Sequence, residues 1–214
     1  MSLAVASLIT VAMVGACAPY AADSPAGSAS VTGDAARPPR SSAGGGSALA
    51  ALGTLAVKGR APRTGYDRAL FGQAWADVDR NGCDTRNDVL RRDLTADEIK
   101  PGTHGCVVLA GTLRDPYTGT TIAFVRGQNT SGRVQIDHVV PLSDAWQKGA
   151  QQWSPSQRKA FANDPLNLLA VDGLTNQRKS DGDAATWLPP DKAYRCPYAA
   201  RQIAVKARYG LWVT

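Results

Sequence analysis

The first quarter of the chain cannot supply a folded core, and this limits any packed domain to the remainder. Residues 19–50 consist largely of Ala, Ser, Gly and Pro. Such a segment buries too little apolar surface to offset the conformational entropy lost on ordering. We therefore predict a disordered linker over residues 23–58. Residues 59–214 are predicted to form one domain of ordinary size.

The segment ahead of the linker is apolar and uncharged. Residues 3–16 read LAVASLITVAMVGA. This run is shorter than the roughly 20 residues that span a bilayer, so residues 1–22 are predicted to be an export signal, although no Lys or Arg precedes the run. The four residues ending at Cys17, VGAC, resemble a lipobox. The prediction is a protein that is secreted, or held at the outer face of a bacterial membrane through a lipidated Cys17.

The net charge of +6 belongs to the predicted domain, because the two basic and two acidic residues of residues 1–57 cancel. A basic domain favours a polyanionic partner such as nucleic acid, through neutralisation of phosphates and release of counterions. Charge alone is equally consistent with a soluble protein whose basicity has no specific role. Sequence motifs are therefore needed to decide between a nucleic-acid partner and a basicity without a specific role.

The cysteines favour one disulfide over a metal site. With Cys17 set aside, Cys83, Cys106 and Cys196 remain, and none forms a C-x-x-C pair, which argues against structural zinc. Export makes disulfides feasible. Cys83 and Cys106 each follow a glycine in the first half of the domain, so Cys83–Cys106 is the preferred pair.

Helical and strand patterns alternate along the domain, which predicts an α+β fold. The turn residues Asp115–Gly119 separate two β-rich runs and predict a hairpin, while Ser154, Pro155 and Gln157 predict a capped helix start. The predicted helices are Tyr66–Asp77, Asp84–Leu94, a helix from Ser154, Gly173–Ser180 and Ala199–Tyr209, and the predicted strands are Cys106–Leu113, Thr121–Val125, Val134–Val140 and the run Leu168–Val171.

A set of polar residues whose types and order suit catalysis begins at the end of a predicted strand. Asp137 and His138 are adjacent there, Asn167 precedes an apolar run, and Asn176 and Lys179 follow on a predicted helix. A lone histidine is usually a surface or structurally satisfied residue. The ordered set of partners after His138 favours a catalytic role instead.

This order resembles the HNH motif of the ββα-metal nucleases, including the HNH domain of RNA-guided CRISPR nucleases. The resemblance implies that His138 is the general base and that Asp137 and Asn176 hold the metal. It also implies that Asn167 orients the His138 loop by hydrogen bonds. Asn176 occupies the position of the last histidine of the HNH motif.

The residue types suit phosphodiester hydrolysis independently of that resemblance. A neutral imidazole is a suitable general base near pH 7. The oxygen donors of Asp137 and Asn176 suit one Mg²⁺ or Mn²⁺, and magnesium commonly keeps several waters, so two protein ligands suffice. Lys179 lies one helical turn after Asn176, on the same helix face, from which its ammonium is expected to reach a phosphate.

A longer similarity covers about residues 66–214. It is to secreted bacterial HNH-family endonucleases, a group related to the C-terminal nuclease domain of the GmrSD type IV restriction enzymes. It implies an exported endonuclease that hydrolyses DNA, with RNA as an alternative substrate. No base-reading element is identifiable, so little sequence specificity is expected. The residues that carry the similarity are Gly82–Asn87, Asp115–Gly119, Asp137–Leu142, Asn163–Leu169 and Trp187–Pro190.

Two other functions remain open on sequence grounds. One is a non-catalytic module on an HNH scaffold that binds nucleic acid or the cell envelope, and the other is a different single-metal hydrolase. The remaining histidine, His104, is expected to be a loop residue. Arg86 and Arg133 are expected either to contact a phosphate or to form salt bridges. No segment predicts an obligate protein partner.

Overall fold

The computed structural model describes residues 45–214, and this part of the chain is an α+β fold. The export signal, candidate lipidation at Cys17 and residues 23–44 of the predicted linker lie outside the described residues. The helices are α1 (Gly45–Thr54), α2 (Thr85–Asp93), α3 (Leu142–Gln147), α4 (Pro155–Ala162), α5 (Gly173–Lys179) and α6 (Arg195–Tyr209), and the strands are β1 (Leu94–Ile99), β2 (Val108–Arg114), β3 (Thr121–Val125), β4 (Val134–His138) and β5 (Leu168–Asp172).

The first sheet contains the predicted hairpin. Strands β2 and β3 pair antiparallel, with Leu113 opposite Ile122, and the turn closes through the bond from the Asp115 amide to the Thr120 carbonyl at 2.8 Å. Strand β1 pairs antiparallel with β2 and was not predicted. Its sequence LTADEI lacks an apolar alternation because most of this edge strand is exposed.

The second sheet and the helix after it form a strand–strand–helix unit. Strands β4 and β5 pair antiparallel, with His138 opposite Leu168. Helix α5 begins directly after β5, where the Asp172 side chain accepts a hydrogen bond from the Thr175 amide at 2.7 Å. This arrangement is the ββα order expected from the sequence, and it places Asp137 and His138 at one end of the sheet.

Two hydrophobic clusters support β4 and β5 from opposite faces. Leu168 and Ala170 of β5 pack into the cluster that includes α2 and the three-stranded sheet. The alternate residues Leu169 and Val171 pack against Tyr117 in another cluster. Alternating strand residues point to opposite faces, so the end of the sheet that carries His138 is packed on both sides.

Local signals set several helix ends. Ser154 and Gln157 form the predicted capping box at the start of α4, and Pro155 occupies its first turn. The last helix spans Arg195–Tyr209, four residues longer at its start than predicted. No helix within residues 45–214 is long and apolar enough to cross a membrane.

Two predicted segments are wrong. The helix expected over Tyr66–Asp77 is a short 3-10 turn, Arg68–Phe71. Gly72 (φ 80°) and Trp75 (φ 58°) take left-handed conformations that no α-helix continues through. The disordered linker does not extend to residue 58, because α1 forms over Gly45–Thr54 and lies against α6.

The predicted disulfide Cys83–Cys106 is present, with its Cα atoms 5.1 Å apart. It connects the turn before α2 to the loop before β2. In that turn the Asn81 side chain donates hydrogen bonds to Asp79 and Asp88, both at 3.1 Å. The crosslink therefore fixes the start of α2, the helix that carries Arg86.

Candidate active site

A cavity of about 710 Å³ lies over the end of β4 and beside α5. Asp137, His138 and Asn176 line it, together with Arg68 and Arg86. The structure therefore brings three of the five predicted site residues to one cavity. Asn167 and Lys179 lie behind its wall.

The Asp137 carboxylate is held at both oxygens. The Tyr117 hydroxyl donates to Oδ2 at 2.5 Å, and the Lys179 ammonium donates to Oδ1 at 3.0 Å. Burial raises the pKa of Asp137 above its usual value, while the Lys179 charge and both hydrogen bonds act in the opposite direction. These two partners fix the orientation of the carboxylate in the cavity wall. Sequence reasoning missed Tyr117, which lies in the turn motif Asp115–Gly119.

Lys179 has a different geometry from the one expected. Its side chain is buried, and its ammonium also donates to the His138 carbonyl at 2.9 Å. The ammonium therefore bridges the Asp137 carboxylate and the backbone of the catalytic candidate. It does not line the cavity, which places it away from any phosphate bound there.

The geometry of His138 determines its tautomer. Nε2 lies 2.8 Å from the Ala162 carbonyl oxygen. Because a carbonyl only accepts hydrogen bonds, Nε2 carries the proton and Nδ1 keeps its lone pair. Burial lowers the pKa of His138 to about 4, so the imidazole is neutral at physiological pH. His138 is 8% exposed, and the Trp75 ring lies nearly parallel to its imidazole, with a 15° angle between planes.

Asn167 fixes the backbone directly after His138. Its Oδ1 accepts from the Val140 amide at 2.8 Å, and its Nδ2 donates to the Val140 carbonyl at 3.2 Å. Its own carbonyl accepts from the Val139 amide at 2.8 Å. The side chain is fully buried. These bonds restrain the loop that leaves the end of β4.

Asn176 presents an amide oxygen to the cavity. Its Nδ2 donates to Gln135 Oε1 at 3.0 Å, and no described residue donates to its Oδ1. Gln135 and Asp137 point to the same face of β4, so α5 places Asn176 on the side of the sheet that carries Asp137. The cavity therefore receives one carboxylate and one amide oxygen.

This donor set fits a hard divalent cation. Within residues 45–214 no group of three or more His, Cys, Asp and Glu side chains is arranged to hold a metal. A cation at this site would have Asp137 and Asn176 as its protein ligands and water as the remainder. Mg²⁺ accepts that coordination readily, and Mn²⁺ shares the preference for oxygen ligands.

Two arginines add positive charge to the cavity. Arg68 and Arg86 line it, and neither forms a salt bridge or a side-chain hydrogen bond with any residue in the described range. Burial, with the nearby Arg126 charge, lowers the pKa of Arg86. Arg133 and His104 are both exposed and line neither this cavity nor the smaller one beside it. His104 lies in a turn, as predicted.

Comparisons with known proteins point to a family of nucleases. Residues 84–214, more than half of the chain, match the family described as GmrSD restriction endonucleases, C-terminal domain. The chain is also 40% identical over 165 residues to an uncharacterized secreted protein of Arthroderma benhamiae, covering 76% of each chain. No solved structure matches.

Proposed function

The chain belongs to the family of GmrSD restriction endonuclease C-terminal domains, and on that premise we propose that it is an exported, metal-dependent endonuclease. Its substrate is DNA, with RNA as the alternative. The observation that supports this most strongly is the free Nδ1 of a neutral His138 in a cavity shared with Asp137, Asn176 and two unpaired arginines. A nuclease needs these groups together.

His138 is the general base. Its Nδ1 takes a proton from the attacking water, and the Ala162 carbonyl, which holds Nε2–H, stabilises the imidazolium that results. Arg68 and Arg86 bind the phosphate oxygens and offset the charge that develops on them. Asp137 and Asn176 would hold the divalent cation, which would supply Lewis-acid stabilisation of the phosphate and the leaving oxygen.

Three residues position this set without touching the reacting atoms. Tyr117 and Lys179 orient the Asp137 carboxylate, and Lys179 also holds the His138 carbonyl. Asn167 holds the backbone after His138. In this proposal the role of Lys179 changes from phosphate neutralisation to positioning, because its ammonium is buried behind the cavity wall.

Export rests on three observations. The apolar run of residues 3–16 is typical of a signal, the Cys83–Cys106 disulfide is typical of oxidising compartments, and the Arthroderma benhamiae relative is named as secreted. Cys17 remains the candidate for lipid attachment if the protein stays at the membrane.

The test is cleavage of supercoiled plasmid, and of a folded RNA in parallel, with Mg²⁺ or Mn²⁺. We expect nicked and linear plasmid, loss of activity in excess EDTA, and recovery when Mg²⁺ is restored. Full cleavage in excess EDTA would contradict the metal-dependent mechanism. Tight nucleic-acid binding without cleavage under any metal condition would instead support the non-catalytic binding module.

A further inference from the structure

A second, smaller cavity adjoins the first one. Its volume is about 250 Å³, below the roughly 300–1,000 Å³ of pockets for drug-sized ligands. Arg68, Trp75, His138 and Leu142 line both cavities, so the two meet beside the general base. The remaining lining is mainly apolar and includes Phe71. A small flat group attached to a phosphate in the larger cavity fits this shape.

Trp75 is held at this boundary in an unfavourable backbone conformation. Its φ of 58° is uncommon for a residue with a bulky side chain. Its ring is only partly buried and lies parallel to the His138 ring, with centroids 6.3 Å apart. Backbone strain of this kind is enriched at active sites and ligand-binding sites. An aromatic face beside a phosphate site is what stacks nucleobases in proteins that bind single strands.

A buried acceptor without a partner lies in the wall of the small cavity. Asn163 is 1% exposed, and its Nδ2 donates to the Lys159 carbonyl at 2.9 Å. Its Oδ1 is buried and has no hydrogen-bond partner among the described residues. An unpaired buried acceptor is unfavourable. A ligand N–H in this cavity would satisfy it once the Asn163 side chain turned its oxygen into the cavity.

We propose that the small cavity, hereafter the base pocket, binds one unpaired nucleobase of the substrate beside the scissile phosphate. The inference rests on the nuclease function proposed above. The base stacks on Trp75 and donates an N–H to Asn163, while Arg68 contacts the adjoining phosphate. Every nucleobase carries an N–H donor, so the pocket selects for an unpaired base and not for a sequence. The substrate class is thus single-stranded or locally unpaired nucleic acid.

The test uses single-stranded oligonucleotides of one sequence in which one abasic site is moved stepwise along the strand. Single-turnover cleavage is mapped at each bond with Mg²⁺ present. We expect cleavage at one fixed position relative to the abasic site to slow by about 5- to 150-fold, the range that corresponds to loss of one stacked base. The matched duplex is expected to be cut more slowly than the single strand.

Variants then connect that effect to the pocket. Trp75→Leu should slow cleavage of the intact strand by a similar factor, and an abasic site should then cause no further slowing. Trp75→Phe should retain most of the wild-type rate and most of the slowing caused by the abasic site. Asn163→Leu, which lacks the acceptor, should reduce the abasic effect in part. Trp212→Leu is the control, because Trp212 bonds the Gly59 carbonyl and lines neither cavity.

The outcomes separate the two proposals. If the protein cleaves, but no abasic position slows it and Trp75→Leu behaves like Trp212→Leu, the base pocket is wrong while the nuclease function stands. If no strand, duplex or RNA is cleaved with any divalent metal, the proposed function fails and the base pocket fails with it.

Discussion

Residues 45–214 contain two buried lysine–aspartate clusters, and only one of them borders either of the two cavities described above. Lys179 pairs with Asp137 at 3.0 Å, and Lys148 pairs with Asp144 at 2.7 Å and also with Asp183. Both lysine side chains are fully buried. By charge and burial alone the two clusters are alike.

Their surroundings differ. The Lys148 cluster also includes Lys206, 3.7 Å from Asp144, and Arg60, 3.4 Å from Asp183. It therefore connects α3 and α6 with the segment that precedes the 3-10 turn Arg68–Phe71. Asp144 and Asp183 line neither cavity. The Lys179 cluster lies next to a neutral histidine and a free amide oxygen. Of the two clusters, the Lys179 cluster therefore shares a cavity with groups that the proposed reaction would use.

Replacing the central lysine of each cluster is expected to have the largest effect and to distinguish the two clusters directly. Lys148→Met and Lys179→Met each leave a buried carboxylate without its main partner, so each should lower the free energy of unfolding by about 3–5 kcal/mol. Cleavage per folded molecule should stay at the wild-type level for Lys148→Met and fall for Lys179→Met. Chemical denaturation and active-site-normalised kinetics measure the two quantities.

Equal loss of specific activity in both variants would mean that the Lys148 cluster also serves catalysis. Retained specific activity in Lys179→Met would remove Lys179 from the positioning role. Either result breaks the distinction between the clusters.

The same contrast shows what sequence could predict. The ordered motif from Asp137 to Lys179 identified the strand–strand–helix unit, because each residue type there has a chemical reason for its place. The motif could not reveal that Lys179 turns inward, because that depends on Tyr117 and Asp137 meeting across the fold. The expected helix over Tyr66–Asp77 was wrong because Gly72 and Trp75 adopt left-handed conformations. That same irregular turn carries Arg68 and Trp75 to the cavities, so the least predictable segment shapes the binding surface.

A smaller effect should distinguish two buried tyrosines of one cluster. Tyr117 donates to Asp137, whereas Tyr198 accepts from Gln202 at 2.8 Å. Tyr117→Phe should weaken Mg²⁺ affinity by about 10- to 100-fold, as loss of a partner that orients a metal ligand does. Excess Mn²⁺ should partly restore activity, as it should for Asn176→Ala.

Tyr198→Phe is the control and should keep the wild-type metal titration. The measurement is the cleavage rate against metal concentration at fixed DNA. If Tyr117→Phe titrates like Tyr198→Phe, the hydroxyl bond does not position a metal ligand.

The smallest effect concerns the arginines. Arg68→Ala and Arg86→Ala should each weaken nucleic-acid binding and reduce the slope of log affinity against log salt by about one phosphate contact. Arg133→Ala should leave the slope unchanged, because Arg133 lines neither cavity. Fluorescence anisotropy over a salt series, with Ca²⁺ replacing Mg²⁺, gives the slopes. If only Arg133→Ala reduced the slope, the phosphates would bind near Arg133 and not in the cavity lined by Arg68 and Arg86.

The two histidines provide the most direct test of the central claim, that His138 is the general base of a metal-dependent nuclease. His138→Ala and His104→Ala are compared with the wild type in single-turnover cleavage of one substrate at saturating Mg²⁺, after circular dichroism confirms folding. We expect a loss of at least about 10²- to 10⁴-fold for His138→Ala, with binding nearly intact, and no loss for His104→Ala. A folded His138→Ala that cleaves at the wild-type rate would contradict the account.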